Sequence, residues 1–249
     1  MKTVLSKCTA EDFSYISAVL ESYASFTNDK RRRKLLSEYQ NNSVIHLELI
    51  SLIDAQIKYF GSSELAYLTR LLTKGDGSIP AAEIVEDVCK KLKVNFKVGC
   101  SIESKLEKLA SSVVEKELLS KTPEELSKSF KELGVGDVDR EEIISHIKKN
   151  GKVAILPVVF QVLGPKIALG IVETIIVSLI AQMIGREAAK QLVKELLKRN
   201  PWINSLGPIL WAISGAWIAF DLQGPAYRKT VPICLYLGIV ALRDGEELV

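Results

Sequence analysis

This chain of 249 residues contains few histidines, and its cysteines are not spaced as in a known motif. The only two histidines are His46 and His146, and neither lies beside a nucleophile in the pattern of a Ser-His-Asp triad. The four cysteines form no CxxC pair and have no histidine at zinc spacing. We therefore expect reduced thiols, no metal, no cofactor and no catalytic residues.

The chain also lacks the signals of export and of nucleic-acid binding. Its N-terminus, MKTVLSKCTAEDF, has no apolar signal-peptide core, so we expect a cytoplasmic protein. A net charge of +3 without a basic, aromatic-interleaved stripe argues against a nucleic-acid partner. The one basic run, residues 30–34, is interpreted as a solvated helix start; the alternative is contact with phosphates or an anionic membrane surface.

Charged residues are distributed unevenly along the chain. Residues 1–150 hold most of the charged side chains, whereas residues 151–249 hold three long apolar runs. Helical spacing and helix-start signals recur throughout, the clearest being the capping box that begins at Thr122, and no segment alternates like a strand. We predict an all-α fold: a charged amphipathic bundle over residues 1–150, then an apolar helical region over residues 151–249 with the motif GPAYRKTVP.

The apolar region meets some, but not all, of the requirements for crossing a membrane. The run over residues 202–220 approaches the length required, but its tryptophans are spread along it and Gly207-Pro208 interrupts it. A span over residues 167–184 would place Glu173 in hydrocarbon, which costs a few kcal/mol. Such a helical hairpin fits either a protein core or a bilayer.

Two sets of candidate functional residues follow from this region. The membrane-interacting set is apolar and aromatic: Trp202, Leu210, Trp211, Trp217, Ile218 and Phe220. The second set consists of polar residues that act as a charged switch or close the hairpin: Lys166, Glu173, Asp221, Tyr227 and Arg228.

Within the second set, two pairings are expected. Lys166 and Glu173 are seven residues apart and should share one helical face. Arg228 should pair with Asp221 across the turn at Gly224-Pro225; alternatively, Arg228 and Lys229 form a site for a lipid headgroup or phosphate.

The C-terminal stretch GPAYRKTVPICLYLGIVALR resembles the signature of the YaaW family of uncharacterised bacterial proteins. The matching positions are Gly224, Pro225, Ala226, Tyr227, Arg228, Thr230, Pro232, Leu242 and Arg243. Segments EIVEDVCKKLKVNF and SIESKLEKLASSVVEKELLSKTPEELSKSF resemble the family's middle part. The resemblance implies a bacterial protein without an established activity and with a remote link to ubiquinol–cytochrome c chaperones.

These observations favour a non-enzymatic protein whose apolar C-terminal helices associate with a membrane or insert into it conditionally, for example as a pore-forming or membrane-perturbing effector. The expected location is then the cytoplasm or the periphery of the inner membrane. The rival hypothesis is a soluble interaction module or assembly chaperone in which the same helices form a permanent core. Its partner would be another protein or a second copy of the chain.

Overall fold

The computed structural model describes residues 1–21, 29–39, 42–61, 79–150, 155–184, 186–199 and 227–243. These residues contain eleven α-helices and no strand, so the predicted all-α bundle is confirmed. The helices are α1 (Lys2–Leu5), α2 (Ala10–Glu21), α3 (Asp29–Glu38), α4 (Ser43–Gly61), α5 (Ala81–Lys91), α6 (Ile102–Ser120), α7 (Pro123–Glu132), α8 (Asp137–Asn150), α9 (Ile155–Met183), α10 (Arg186–Arg199) and α11 (Tyr227–Arg243).

Local capping signals determine where several helices begin. The side chain of Thr122 accepts from the backbone N–H of Glu125, and the Glu125 carboxylate accepts from that of Thr122, which is the predicted capping box. Thr9 and Asp12 form the same reciprocal pair before α2. Ser101 caps α6 through the N–H of Ser104.

Helix α9 consists of two helical segments joined at Gly164. Gly164 has φ 73° and ψ 163°, which is outside the helical region and is accessible mainly to glycine. Pro165 then begins the second segment, where its missing N–H costs no helical hydrogen bond. The chain therefore changes direction in the middle of its longest apolar run.

Helix α11 lies at the centre of the bundle. Every residue from Lys229 to Ala241 is buried, and the helix packs against α1, α2, α4, α5, α6 and α9. Its closest approach is to α6, where a Cβ added to Gly238 would lie 2.6 Å from the carbonyl oxygen of Leu106. The absence of a side chain at Gly238 thus allows two helix backbones to meet.

A single hydrophobic cluster contains buried side chains from both compositional regions, from Val4 in α1 to Ala241 in α11. The charged helices and the apolar helices therefore share a core among the described residues. The composition of the chain changes near residue 150. That this change is also a domain boundary stays a prediction.

Candidate functional site around helix α11 and the first half of helix α9

The basic run of residues 30–34 lies on α3, and its middle arginine is directed inward. Arg32 is fully buried, whereas its neighbour Arg33 is exposed. The Arg32 guanidinium donates to Ser17 Oγ at 2.9 Å, Gln56 Oε1 at 2.6 Å, and the carboxylates of Asp29 at 2.7 Å and Glu21 at 3.0 Å. The interpretation of the whole run as a solvated helix start is wrong at Arg32, because burial of its charge is compensated by carboxylates.

Lys229 is the second buried cation near this cluster. Its ammonium donates to the carbonyl oxygen of Leu20 at 2.6 Å and lies 3.7 Å from the ring centroid of Phe60. Burial lowers the pKa of Lys229 to about 8; attraction by Asp29 opposes this shift and repulsion by Arg32 adds to it. A lysine in this position joins α11 to α2 and α4 and is not available to a membrane surface in this conformation.

A third polar cluster connects the two ends of the described chain. The Asp12 carboxylate, fully buried, accepts from the Tyr236 hydroxyl at 2.7 Å and from the Arg243 guanidinium at 2.8 Å. Its second oxygen accepts the N–H of Thr9 at 2.8 Å. One carboxylate thus caps α2 and holds two side chains of α11.

Of the predicted motif residues, Tyr227 and Arg228 lie at the start of α11. Tyr227 is half-buried, with the Lys91 ammonium 5.3 Å from its ring centroid, and Arg228 is exposed. Asp221, the expected partner of Arg228, lies outside the described residues, so that pairing stays a prediction. The alternative phosphate site formed by Arg228 with Lys229 does not suit the geometry, because Lys229 is buried.

Lys166 and Glu173 both lie after the bend at Gly164, in the second segment of α9, but they differ in burial. Lys166 is exposed directly after the bend at Gly164, whereas Glu173 is 6% exposed, within the enclosed part of α9. Their expected shared helical face stays a prediction. The six predicted membrane-interacting residues, Trp202, Leu210, Trp211, Trp217, Ile218 and Phe220, lie outside the described residues.

The beginning of α9 is held by a carboxylate from another helix. Glu115 on α6 accepts the backbone N–H of Ile155 at 2.5 Å through one oxygen and that of Leu156 at 2.7 Å through the other. These N–H groups have no partner within their own helix, and a negative charge at this end of a helix interacts favourably with the helix dipole. Glu115 therefore positions the first segment of α9 against α6.

The two segments of α9 differ in how far the bundle covers them. All residues from Ala168 to Ile180 are buried, so this part is a core helix. In the first segment, by contrast, Val158, Phe160 and Val162 are half-buried; Ile167, just after the bend at Gly164, is 41% exposed. The first part of α9 therefore presents apolar side chains at the surface.

Among the described residues, α9 alone is long and apolar enough to cross a membrane by length and composition. Of its most apolar 18-residue stretch, 44% of residues are buried, so the bundle encloses less than half. This single helix is weak support for a span, because the core helix of a globular protein meets the same two criteria.

The sequence did not reveal that Arg32, Asp12 and Glu115 join different helices through hydrogen bonds. Glu115 lies within a regular amphipathic pattern and shows no local sign of its contact with residues 155 and 156, forty positions away. The sequence around Asp12 shows only the spacing of a helix cap with Thr9, and gives no sign of its contacts with α11. Among the described residues, no group of three or more His, Cys, Asp or Glu side chains is arranged to hold a metal ion.

Comparison with known proteins finds similarity to uncharacterised bacterial proteins. The chain is 26% identical over 222 residues to a UPF0174 protein of Helicobacter pylori strain J99, covering 88% of this chain and 82% of that protein. A UPF0174 protein of strain 26695 is 26% identical over 200 residues, covering 77% and 87%, respectively. A further UPF0174 protein of strain J99 is 28% identical over 219 residues, covering 85% and 97%.

No protein-family profile and no solved structure matches the chain. The relatives carry the name UPF0174, so the expected membership of the YaaW family is wrong. The similarity to the UPF0174 proteins extends over most of the chain.

Proposed function

We propose that this protein is a non-enzymatic helical protein that associates with the surface of an anionic membrane through the first half of α9. The observation that carries this proposal is that the bundle leaves four apolar side chains on the two sides of the bend at Gly164 partly uncovered: Val158, Phe160, Val162 and Ile167. We refer to these four residues as the α9 surface. An apolar helix face that lies in the headgroup region is the usual device of peripheral membrane proteins.

The charges near the α9 surface support an anionic partner. Lys166 is exposed beside Ile167, just after the bend, and Lys148 and Lys149 are exposed at the end of α8, shortly before α9 begins. Each lysine close to an anionic bilayer contributes about 1 kcal/mol to binding. The combination of apolar contact and cationic rim would place the protein at the inner face of the cytoplasmic membrane.

A stronger form of the proposal is conditional insertion with perturbation of the membrane. It requires the second half of α9 to leave the core, because the residues from Ala168 to Ile180 are enclosed. Glu173, 6% exposed, would then be transferred from the protein interior into hydrocarbon at a cost of a few kcal/mol. Surface association needs neither step and is the form that the described conformation supports better.

The second candidate is a soluble interaction module or assembly chaperone with α9 and α11 as a permanent core. The observation in its favour is the continuous burial of α11, which Asp12 and the Leu20 carbonyl hold by hydrogen bonds. In that case the α9 surface would bind a protein partner or a second copy of the chain.

The test is co-sedimentation of the full chain with phosphatidylcholine vesicles with and without phosphatidylglycerol, with leakage of an encapsulated dye read in the same samples. We expect binding that requires phosphatidylglycerol, with little leakage. Ile167→Ser and Phe160→Ser should each weaken binding by roughly tenfold, since each removes 1.5–3 kcal/mol of apolar burial at most.

The matched control is Val138→Ser, which removes an exposed apolar side chain (77% exposed) from α8. It should bind as the unmodified protein does. Absence of binding to anionic vesicles, or equal loss in Val138→Ser and Ile167→Ser, would refute surface association through α9. Size-exclusion chromatography at several concentrations would then test self-association. Binding with strong leakage would instead favour the inserting form.

A further inference from the structure

Helices α5 and α7 end in the same backbone motif. After α5, the N–H of Val94 donates to the carbonyl of Cys89 at 2.8 Å; after α7, the N–H of Val135 donates to the carbonyl of Phe130 at 3.0 Å. Each motif places a residue with positive φ directly before that valine. These are Schellman caps, in which the left-handed position is usually glycine.

The two caps differ at that left-handed position. After α7 it is Gly134, with φ 74°, whereas after α5 it is Lys93, with φ 56°. Lys93 is the one non-glycine residue with positive φ in the described part of the chain. An L-residue in this conformation carries steric strain that glycine avoids, so a lysine here lowers stability relative to glycine. Strain of this kind points to a role for the side chain.

A groove of about 440 Å³ lies at this strained position. It is lined by Lys90, Lys93, Val94, Asn95 and Phe96. Lys90 and Lys93 contribute exposed ammonium groups, Asn95 contributes an amide, and the half-buried ring of Phe96 forms an apolar wall. The groove therefore combines two cations and a neutral donor with a flat apolar surface.

The segment that lines the groove carries a net positive charge. Residues 86–97 contain four lysines and two carboxylates. Of those carboxylates, Glu86 is bound by the Lys105 ammonium at 2.6 Å, and that ammonium also lies 4.8 Å from the ring centroid of Phe96. Asp87 forms an exposed ion pair with Lys90 at 3.7 Å from Nζ, which is too long for a hydrogen bond.

We propose that this groove binds a phosphate group, with Lys90, Lys93 and Asn95 as donors and Phe96 in contact with the organic part of the ligand. Phosphate oxygens accept several charge-assisted hydrogen bonds at once, which matches two ammonium groups and one amide. The phosphate belongs either to a soluble phosphate ester or to a lipid headgroup. The site lies on α5 and not on the α9 surface, so it stands independently of the proposed membrane function.

The first experiment is a titration of the ¹⁵N-labelled full chain with inorganic phosphate at constant ionic strength, with chloride as the reference anion. We expect saturable amide shifts at Lys93, Val94 and Asn95. Lys93→Gly should weaken phosphate binding by roughly tenfold, as the loss of one charge-assisted hydrogen bond implies. Its melting temperature should be equal or higher, because glycine relieves the strain at this position.

Two matched variants use the cap after α7. Lys131→Gln removes a charge at the position equivalent to Lys90 and should leave phosphate binding unchanged. Gly134→Lys creates the same strained lysine without the groove; it should lower the melting temperature and add no phosphate site. The opposite signs of the stability changes in Lys93→Gly and Gly134→Lys test the strain at Lys93, and the loss of phosphate binding in Lys93→Gly, absent in Lys131→Gln, tests the binding role.

The source of the phosphate is resolved with phosphatidylcholine vesicles that do or do not contain phosphatidic acid. Stronger binding to phosphatidic acid vesicles, reduced in Lys93→Gly, identifies a lipid headgroup; saturable binding of inorganic phosphate alone identifies a soluble ester. Shifts that are equal in chloride and phosphate would overturn the proposal, as would unchanged affinity or a lowered melting temperature in Lys93→Gly.

Discussion

The rings of Tyr15 and Tyr236 lie against each other with their centroids 3.8 Å apart, yet their hydroxyl groups have opposite surroundings. Tyr236 donates to the buried carboxylate of Asp12 at 2.7 Å. The hydroxyl of Tyr15 is buried without a hydrogen-bond partner in the described part of the structure, and burial raises the pKa of Tyr15 well above its usual 10. The hydroxyl groups of two similar side chains at the α2–α11 contact should therefore affect stability with opposite signs.

Tyr236→Phe should lower the free energy of unfolding by roughly 1–3 kcal/mol, because it removes a hydrogen bond from a buried charged acceptor. Urea denaturation followed by circular dichroism measures this change. Tyr227→Phe, at a half-buried site at the start of α11, is the matched control and should change stability by less than about 0.5 kcal/mol. Equal effects of the two substitutions would contradict the role assigned to Asp12.

Tyr15→Phe should leave stability unchanged or raise it by about 1 kcal/mol, because it removes a buried hydroxyl without a partner and keeps the ring. The measurement is the same urea denaturation. A loss of more than 1 kcal/mol would show that the Tyr15 hydroxyl has a partner that the described residues do not provide.

Gly238→Ala should destabilise the fold by roughly 1–3 kcal/mol. The added Cβ would lie 2.6 Å from the Leu106 carbonyl oxygen and 2.7 Å from the Cβ of Ala110, so α6 and α11 must separate. Gly136→Ala is the control, since the nearest atom to its Cβ is an oxygen of Asp139 at 3.8 Å. Thermal melts of both variants compare the two sites; similar melting temperatures would rule out the close helix contact.

Lys229 should make stability depend on pH between about 8 and 10.5. Its pKa in the folded protein, about 8, is lower than the ordinary value of 10.5, so the unfolded chain binds the proton more tightly. The folded state therefore carries the full penalty below pH 8 and loses it as the pH rises to 10.5. The difference amounts to roughly 3 kcal/mol at 1.36 kcal/mol per pKa unit.

The measurement is urea denaturation of the unmodified protein and of Lys229→Met at several pH values. Subtracting the two curves removes the contribution of the other lysines and tyrosines. The unmodified protein should gain stability relative to Lys229→Met over this interval. A flat difference would mean that Lys229 titrates as an exposed lysine does.

Glu115→Ala should loosen the first turn of α9 and cost about 1 kcal/mol, the usual contribution of a helix cap. Faster hydrogen exchange at the amides of Ile155 and Leu156 would report the loss directly, because both now donate to this carboxylate. Glu142→Ala removes an exposed carboxylate from α8 and serves as the control. Protection that is unchanged in Glu115→Ala would contradict the capping role.

Helix boundaries were largely predictable because they depend on neighbouring residues. The capping box at Thr122 appears in the structure as predicted, and the caps at Thr9 and Ser101 likewise join residues three positions apart. The bend at Gly164-Pro165 was visible only as two helix-breaking residues. The difference in burial between exposed Lys166 and enclosed Glu173, which both follow this bend, required the positions of the surrounding helices.

The sequence by itself determined the all-α class and the starts of the capped helices, because hydrophobic periodicity and capping act over one or two turns. The tertiary structure alone decided which charges are buried. Arg32 is drawn inward by Asp29, Glu21 and Gln56, and Asp12 by Tyr236 and Arg243, more than 220 positions away. A buried charge is stable only where partners from other helices converge on it, and no local pattern records that convergence.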